Sequence, residues 1–280
     1  MEIYIICDME GVTGVASYER DAFPQAPNYP RARRTLVGDL RAAIAGAQVG
    51  NTLNGHCQEA TRFTIYDMHF RGDNIHSEEL GSDVTLIRGK PLDNGMRRGF
   101  AGMFLIGLHA MAGSPLGVLP HTYNHEIVSI ALNGKRVGEI GLEAAAAGWH
   151  GIPLVFLSAD AEGVAEARAL LGNVEGAETK CLWTGTPGAP ERVPFIFAPE
   201  YARESIRAGA RRAVENIGSF RPFVMSGPCR LEIVYSDAAM ASRVAHVTEG
   251  RLHDRVVVVI EAEDVWSAYM RFRRTQARNG

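Results

Sequence analysis

Ile3-Tyr4-Ile5-Ile6-Cys7-Asp8-Met9-Glu10-Gly11 opens the chain with an apolar run that ends abruptly in two acids and a glycine. A short, β-branched, continuously apolar run reads as a strand buried on both faces, the kind found inside a parallel sheet. The period of a strand is two, so if its geometry continues, Asp8 and Glu10 point to one side while Cys7 and Met9 face the other. Carboxylates at the C-terminal edge of such a strand stand where α/β sheets usually bind ligands. Gly11 and Gly14 then let the chain turn sharply. A bare Asp-x-Glu is equally at home in a solvated acidic loop, so this motif needs company.

Working outward, apolar runs alternate with helical patterns. Arg31 to Gln48 reads as a helix; Arg62 to Tyr66, Val84 to Ile87 and Phe100 to Gly107 read as strands. Ile127 to Leu132, Asn133-Gly134, then Lys135 to Val137 is a hairpin, because Asn-Gly suits the positive φ angles of a type I′ turn. Glu139 to Trp149 is an alanine-rich helix, Leu154 to Leu157 a strand, and Ala161 to Leu171 a helix ending before Gly172. This alternation predicts an α/β layered fold with a largely parallel central sheet. Gly185 to Pro194 reads as a loop or junction. Beyond it a helix from Pro199 to Ile217, strands near Leu231 to Tyr235 and Val256 to Ile260, and helices near Ala238 to His246 and Asp264 to Arg278 predict a smaller α+β unit. The expected division is a catalytic, metal-binding domain over 1–185 and a second unit over 190–280 that shapes the pocket or subunit contacts.

Bulk properties narrow the function. With 280 residues, 46% hydrophobic and 22% charged, the chain can bury a sizeable core unaided. A net charge of −3, with no basic run longer than Arg33-Arg34 or Arg273-Arg274, argues against nucleic-acid binding. Cys7, Cys57, Cys181 and Cys229 are far apart and form no Cys-x-x-Cys pair, which reads as reduced thiols. The N-terminus lacks a signal-peptide pattern, and the apolar run Phe100 to Leu108 is too short to span a bilayer. A cytoplasmic protein with no membrane partner is expected.

The opening pattern recurs. Tyr66-Asp67-Met68-His69 ends a second strand in an acid and a histidine, and Gly107-Leu108-His109 ends a third. Each histidine alone is more often a packing or capping residue; three strand ends carrying metal-competent side chains favour convergence on a divalent ion such as zinc. Glu139 follows the hairpin at a helix start, where the macrodipole alone would favour it, so a structural and a metal role stand level there. His121, on a loop after Pro120, has no evident packing duty and is either catalytic or exposed. His125, His150, His246 and His253 have no partner pattern and read as surface or core residues.

At this point the residues resemble a known family. Ile6-Cys-Asp-Met-Glu-Gly-Val-Thr-Gly14, Tyr66-Asp-Met-His69, Gly107-Leu-His-Ala110, Gly117-Val-Leu-Pro-His121 and Leu132-Asn-Gly-Lys-Arg-Val-Gly-Glu-Ile-Gly-Leu142 are similar, in order and nearly in spacing, to the motifs of the DppA-type D-aminopeptidases, the M55 family of zinc metallopeptidases. The resemblance covers roughly the first 160 residues. It implies two divalent ions, zinc with manganese or cobalt as alternatives, held by Asp8, Glu10, His69, His109 and Glu139, with Asp8 the candidate for the carboxylate shared by both. It places the catalytic histidine on His121, as acid or base, oxyanion stabiliser or nucleophile. The implied reaction is hydrolysis of a peptide or small amide bond by a metal-activated water. A ring-like homo-oligomer is implied too. Met68 and Phe70 depart from the family's small or polar neighbours, residues 51–58 look inserted, and the His109 to His121 interval is one residue longer; Phe70 and Tyr123 are placed to reshape the pocket. The readings set beside peptide hydrolysis are a catabolic amidohydrolase, a dinuclear phosphoesterase and a non-catalytic metal-binding protein.

Overall fold

Strand β1 (Glu2–Cys7) lies near the middle of a seven-stranded sheet, buried on both faces. The structure is a computed structural model describing residues 1–53, 60–183 and 193–277. After β1 come α1 (Tyr29–Leu53), β2 (Arg62–Asp67), β3 (Val84–Ile87) and β4 (Gly102–Leu108). The hairpin β5 (Ile127–Leu132) and β6 (Lys135–Val137) leads into α2 (Glu139–Trp149), β7 (Leu154–Asp160) and α3 (Ala161–Leu171). The last part runs β8 (Glu175–Trp183), β9 (Val193–Ile196), α4 (Pro199–Glu215), β10 (Cys229–Tyr235), α5 (Ala238–Thr248), β11 (Arg251–Asp254), β12 (Val257–Ala262) and α6 (Val265–Ala277). Strand order in the large sheet is β3-β2-β1-β4-β7-β8-β9, parallel except for the edge strand β9. The chain walks outward from β1 through β2 to β3, then restarts at β4 on the other side. The switch point of the sheet therefore lies between β1 and β4, where such folds form a crevice.

The alternation along β1 separates two apolar cores. Ile3, Ile5 and Cys7 pack with residues of α1 and α4, including Leu36, Leu40, Ile206 and Ala210. Tyr4 and Ile6 pack on the opposite side with residues of α2, α6 and a second sheet. That second sheet is antiparallel, in the order β11-β12-β10-β5-β6. It joins the hairpin to the C-terminal strands, with β10 paired to β5 and β12. The hairpin turn is as expected: Asn133 and Gly134 have φ of 49° and 80°.

The mixed α/β architecture with a largely parallel sheet is the one anticipated, and α2 and α3 have the expected bounds. Three strands were not anticipated. β8 reads as polar because Thr179 and Lys180, both wholly buried, serve a loop described below. β9 begins inside the expected loop, so Val193 and Pro194 are edge-strand residues, a place that tolerates proline. β11 is an exposed edge strand with little apolar signal. Of the two segments read as insertion and junction, residues 54–59 and 184–192 lie outside the described residues.

Candidate metal centre

Asp8, His69 and His109 each stand just past the C-terminal end of one of the adjacent strands β1, β2 and β4. Glu10 continues the turn after β1, and Glu139 is the first residue of α2. All five are buried, at 2–6% exposure. They form two sets with ligand atoms within 4.8 Å of one another: Asp8, Glu10 and His69; and Asp8, His109 and Glu139. Asp8 belongs to both, with Oδ1 3.0 Å from Nδ1 of His69 and Oδ2 3.4 Å from Nε2 of His109. Glu10 Oε2 lies 3.2 Å from Nδ1 of His69, and Glu139 Oε1 lies 3.3 Å from Nε2 of His109.

The outer nitrogens decide what the inner ones can do. Nε2 of His69 is 2.8 Å from the carbonyl oxygen of Ala22, and Nδ1 of His109 is 3.0 Å from that of Ala110. Carbonyl oxygens only accept, so these nitrogens carry the protons. In a neutral ring, the inner nitrogen then turns a lone pair toward carboxylate oxygens. Only a proton or a cation makes that arrangement favourable, and a carbonyl-anchored histidine is the usual metal-ligating form. Nε2 of His109 is buried and has no hydrogen-bond partner. Ligands about 2.0–2.2 Å from a tetrahedral zinc stand about 3.3–3.6 Å apart, close to the separations here. The donor set thus fits divalent ions. Without them, burial pushes both imidazoles down, but Glu10 and Asp8 around His69, and Glu139 and Asp8 around His109, outweigh it and hold both well above the usual value.

His121 joins a third set with Glu10 and His109, again within 4.8 Å, so it too is within reach of a cation. Its ring stacks on His109 at 3.9 Å between centroids. The carbonyl of Leu119 lies 3.1 Å from its Nδ1, which therefore carries a proton shared with the Tyr18 hydroxyl at 3.2 Å. Nε2 is left as the acceptor. Burial first, then the neighbouring His109, pushes His121 below the usual imidazole value.

The scaffold behind these residues is tied down by polar groups that sequence reasoning passed over. The Lys180 ammonium donates to the carbonyls of Glu10, Val12 and Val15 at 2.6, 2.9 and 2.6 Å, fixing the loop that carries Glu10. Burial pushes this lysine down to about 8. Glu166 of α3 accepts from the amides of Met111 and Gly138 at 2.9 and 3.2 Å, joining the loop after His109 to the start of α2. Tyr123 N donates to Glu139 Oε1 at 2.6 Å.

The centre opens into a cavity of about 280 Å³. His125, exposed as one of its two sequence readings had it, also lines the cavity and stacks on His121 at 5.3 Å, with the Tyr18 ring against both. Lys90 and Arg273 also line it. Neither belongs to a motif; both arrive through tertiary contacts.

Comparisons with known proteins give the family and the fold. The sequence model of the Peptidase M55 family, described as D-aminopeptidase, matches residues 1–274. A D-aminopeptidase from Bacillus subtilis (strain 168) is 31% identical over 186 residues, which covers 64% of this chain and 64% of that relative's length. In structure the chain is similar to a Zn-dependent D-aminopeptidase, DppA from Bacillus subtilis, a self-compartmentalizing protease, with a TM-score of 0.85 and 24% identity over 99% of this chain and 97% of that one.

Proposed function

Since the chain belongs to the M55 family of D-aminopeptidases, we propose that it is a metal-dependent aminopeptidase that hydrolyses a short peptide or small amide bond. The carrying observation is the pair of carbonyl-anchored histidines, His69 and His109, whose inner nitrogens converge on an Asp8 common to both donor sets. In this reading Asp8, Glu10 and His69 hold one divalent ion and Asp8, His109 and Glu139 the other. Zinc is the first choice, as the solved neighbour is described as Zn-dependent. Ions bound there would supply a water of lowered pKa and polarisation of the scissile carbonyl.

The chain's own residues do the rest. His121, with Nδ1 protonated and Nε2 free, takes up a proton at Nε2 during attack and returns it to the leaving nitrogen. Tyr18 and the Leu119 carbonyl hold that ring in place. Phe23, Phe70 and Tyr123 wall the cavity with aromatic surface suited to an apolar side chain. A non-peptide catabolic amide would meet the same groups and is the finer choice within this reading. Phosphoester cleavage and a purely metal-holding role draw no support from the family. A homo-oligomer is part of the proposal, drawn from the neighbour described as self-compartmentalizing, as is a cytoplasmic location. Among the described residues, no helix is long and apolar enough to cross a membrane.

Elemental analysis and turnover of D-alanyl-D-alanine together test this. Purified protein should carry about two ions per chain; His109→Ala should lower that number, while His121→Ala keeps it and loses about 10²–10⁴-fold in kcat. Protein that retains no zinc, manganese or cobalt would end the proposal.

A further inference from the structure

The cavity that holds the candidate centre is bordered by two cations as well as by acids. Lys90 comes from the loop after β3 and Arg273 from α6. Arg273 is buried and Lys90 is partly buried. Arg273 is 1% exposed, and Lys90 is withdrawn enough that burial pushes its ammonium down. Among the described residues neither has a carboxylate within ion-pair distance. The Lys90 ammonium donates to the Met68 carbonyl, a neutral partner. The Arg273 guanidinium donates to the hydroxyl of Tyr66 at 2.9 Å and to the side-chain carbonyl of Asn94 at 2.5 Å, while its buried Nε has no hydrogen-bond partner. The acid nearest in this network, Glu143, accepts instead from the hydroxyls of Tyr123 and Tyr269, each at 2.8 Å, and Asn94 stands between it and Arg273.

A cation drawn out of water without a counter-ion loses hydration that nothing replaces. Asp8, Asp67 and Glu139 favour the charge of Lys90 from a distance, but none pairs with it, and Asp8 and Glu139 would be engaged by the divalent ions. The cavity is therefore built for a ligand that brings its own negative charge. Its volume of about 280 Å³ sits at the small end of ligand sites. One residue of extended chain spans about 3.3–3.6 Å, so a carboxylate one residue beyond the scissile bond stays inside it.

We propose that Lys90, backed by Arg273, is the subsite for the free carboxylate of the substrate, which makes dipeptide-length free acids the preferred class over uncharged amides. The proposal rests on the hydrolase reading above for which bond is cut, but not for what is bound. Turnover and binding are therefore measured separately. The zinc-loaded enzyme is assayed on D-alanyl-D-alanine and on its C-terminal amide, and binding of both is measured by calorimetry on zinc-loaded His121→Ala.

The acid should exceed the amide in kcat/KM and in affinity by about 10-fold or more, the ratio expected of one charge-assisted hydrogen bond. Lys90→Met should bring the ratio close to one, and Lys90→Arg should retain most of it. Equal binding of acid and amide by the parent protein would overturn the subsite whether or not Lys90→Met folds. So would a preference that survives Lys90→Met, since Lys90 would then only pin the Met68 carbonyl. If neither compound is cleaved but the acid alone binds, the subsite stands and the assigned reaction falls.

Discussion

Gly107, one residue before the end of β4, has φ of +74°, and a Cβ added there would lie 2.4 Å from the Asp8 carbonyl oxygen. A Cβ on Gly11 would lie 1.6 Å from the Leu108 carbonyl oxygen. The two strand ends that carry Asp8 and His109 approach this closely only because both positions lack side chains. Gly107→Ala is therefore expected to lower the thermal midpoint by several degrees, since left-handed backbone alone costs an L-residue about 1–2 kcal/mol and the clash adds to it. Metal content should fall with it; an unchanged midpoint and ion count would show that the strands have room to part. Tyr18→Phe makes a narrower change. It removes the hydroxyl beside His121 and should lower kcat by about tenfold with metal content intact; an unaltered kcat would mean the Leu119 carbonyl orients the ring alone. Of these residues, Asp8, Glu10, His69 and His109 were legible because each closes an apolar run. Tyr18, Lys90 and Arg273 were not, because nothing in their spacing relates them to those runs.

Helix α1 reaches the site through Tyr29, whose ring lies 6.4 Å from that of His69, and through a buried acid. Asp39 is fully buried and accepts from the Thr13 amide at 3.1 Å, bracing the loop beyond Glu10. Burial pushes its carboxyl up to about 6, against the Thr13 hydrogen bonds and the Arg203 charge. A carboxyl raised in the folded state binds a proton that the unfolded chain has released. Its contribution is whole below about pH 4, the unfolded value, and is lost as pH rises through about 6. The parent protein should lose stability to urea across that window relative to Asp39→Asn, in which the group no longer titrates. Parallel profiles for the two proteins would show that Asp39 is ionised throughout. At this scale helices were the legible part: α2 and α3 announce themselves by alanine content and by the Gly172 stop. Strand β8 was illegible for a physical reason, since its Lys180 is buried only because three carbonyls elsewhere in the chain receive it.

The two sheets share the chain unevenly. β5 and β6, from the first 185 residues, complete a sheet whose other strands come from the last part, and α4 packs its apolar face with α1 on the large sheet. Sequence reading gave the largely parallel sheet but not its strand order, since consecutive β3 and β4 lie on opposite sides of β1. It did not foresee the hairpin's union with β10, because antiparallel pairing between distant segments leaves no local signal. The outer edge of the large sheet carries Val193, Phe195 and Ile196, with Trp183 at the end of the neighbouring strand, all strongly exposed, and Trp183 and Phe195 are 5.9 Å apart between ring centroids. An exposed apolar strand edge invites another chain. Phe195→Asp is expected to shift the protein to smaller species in sedimentation velocity, and an identical distribution would move the subunit contact elsewhere.

Arg273 also sets a limit in time. Ribosomes make a polypeptide from its amino end, and early segments begin to fold while later ones are still being added. The other groups around the cavity are synthesised long before this arginine. A nascent chain can therefore possess every candidate ligand while one wall of its cavity is still missing, and a message cut short just upstream of that codon would yield a protein able to take up ions but unable to close around a substrate.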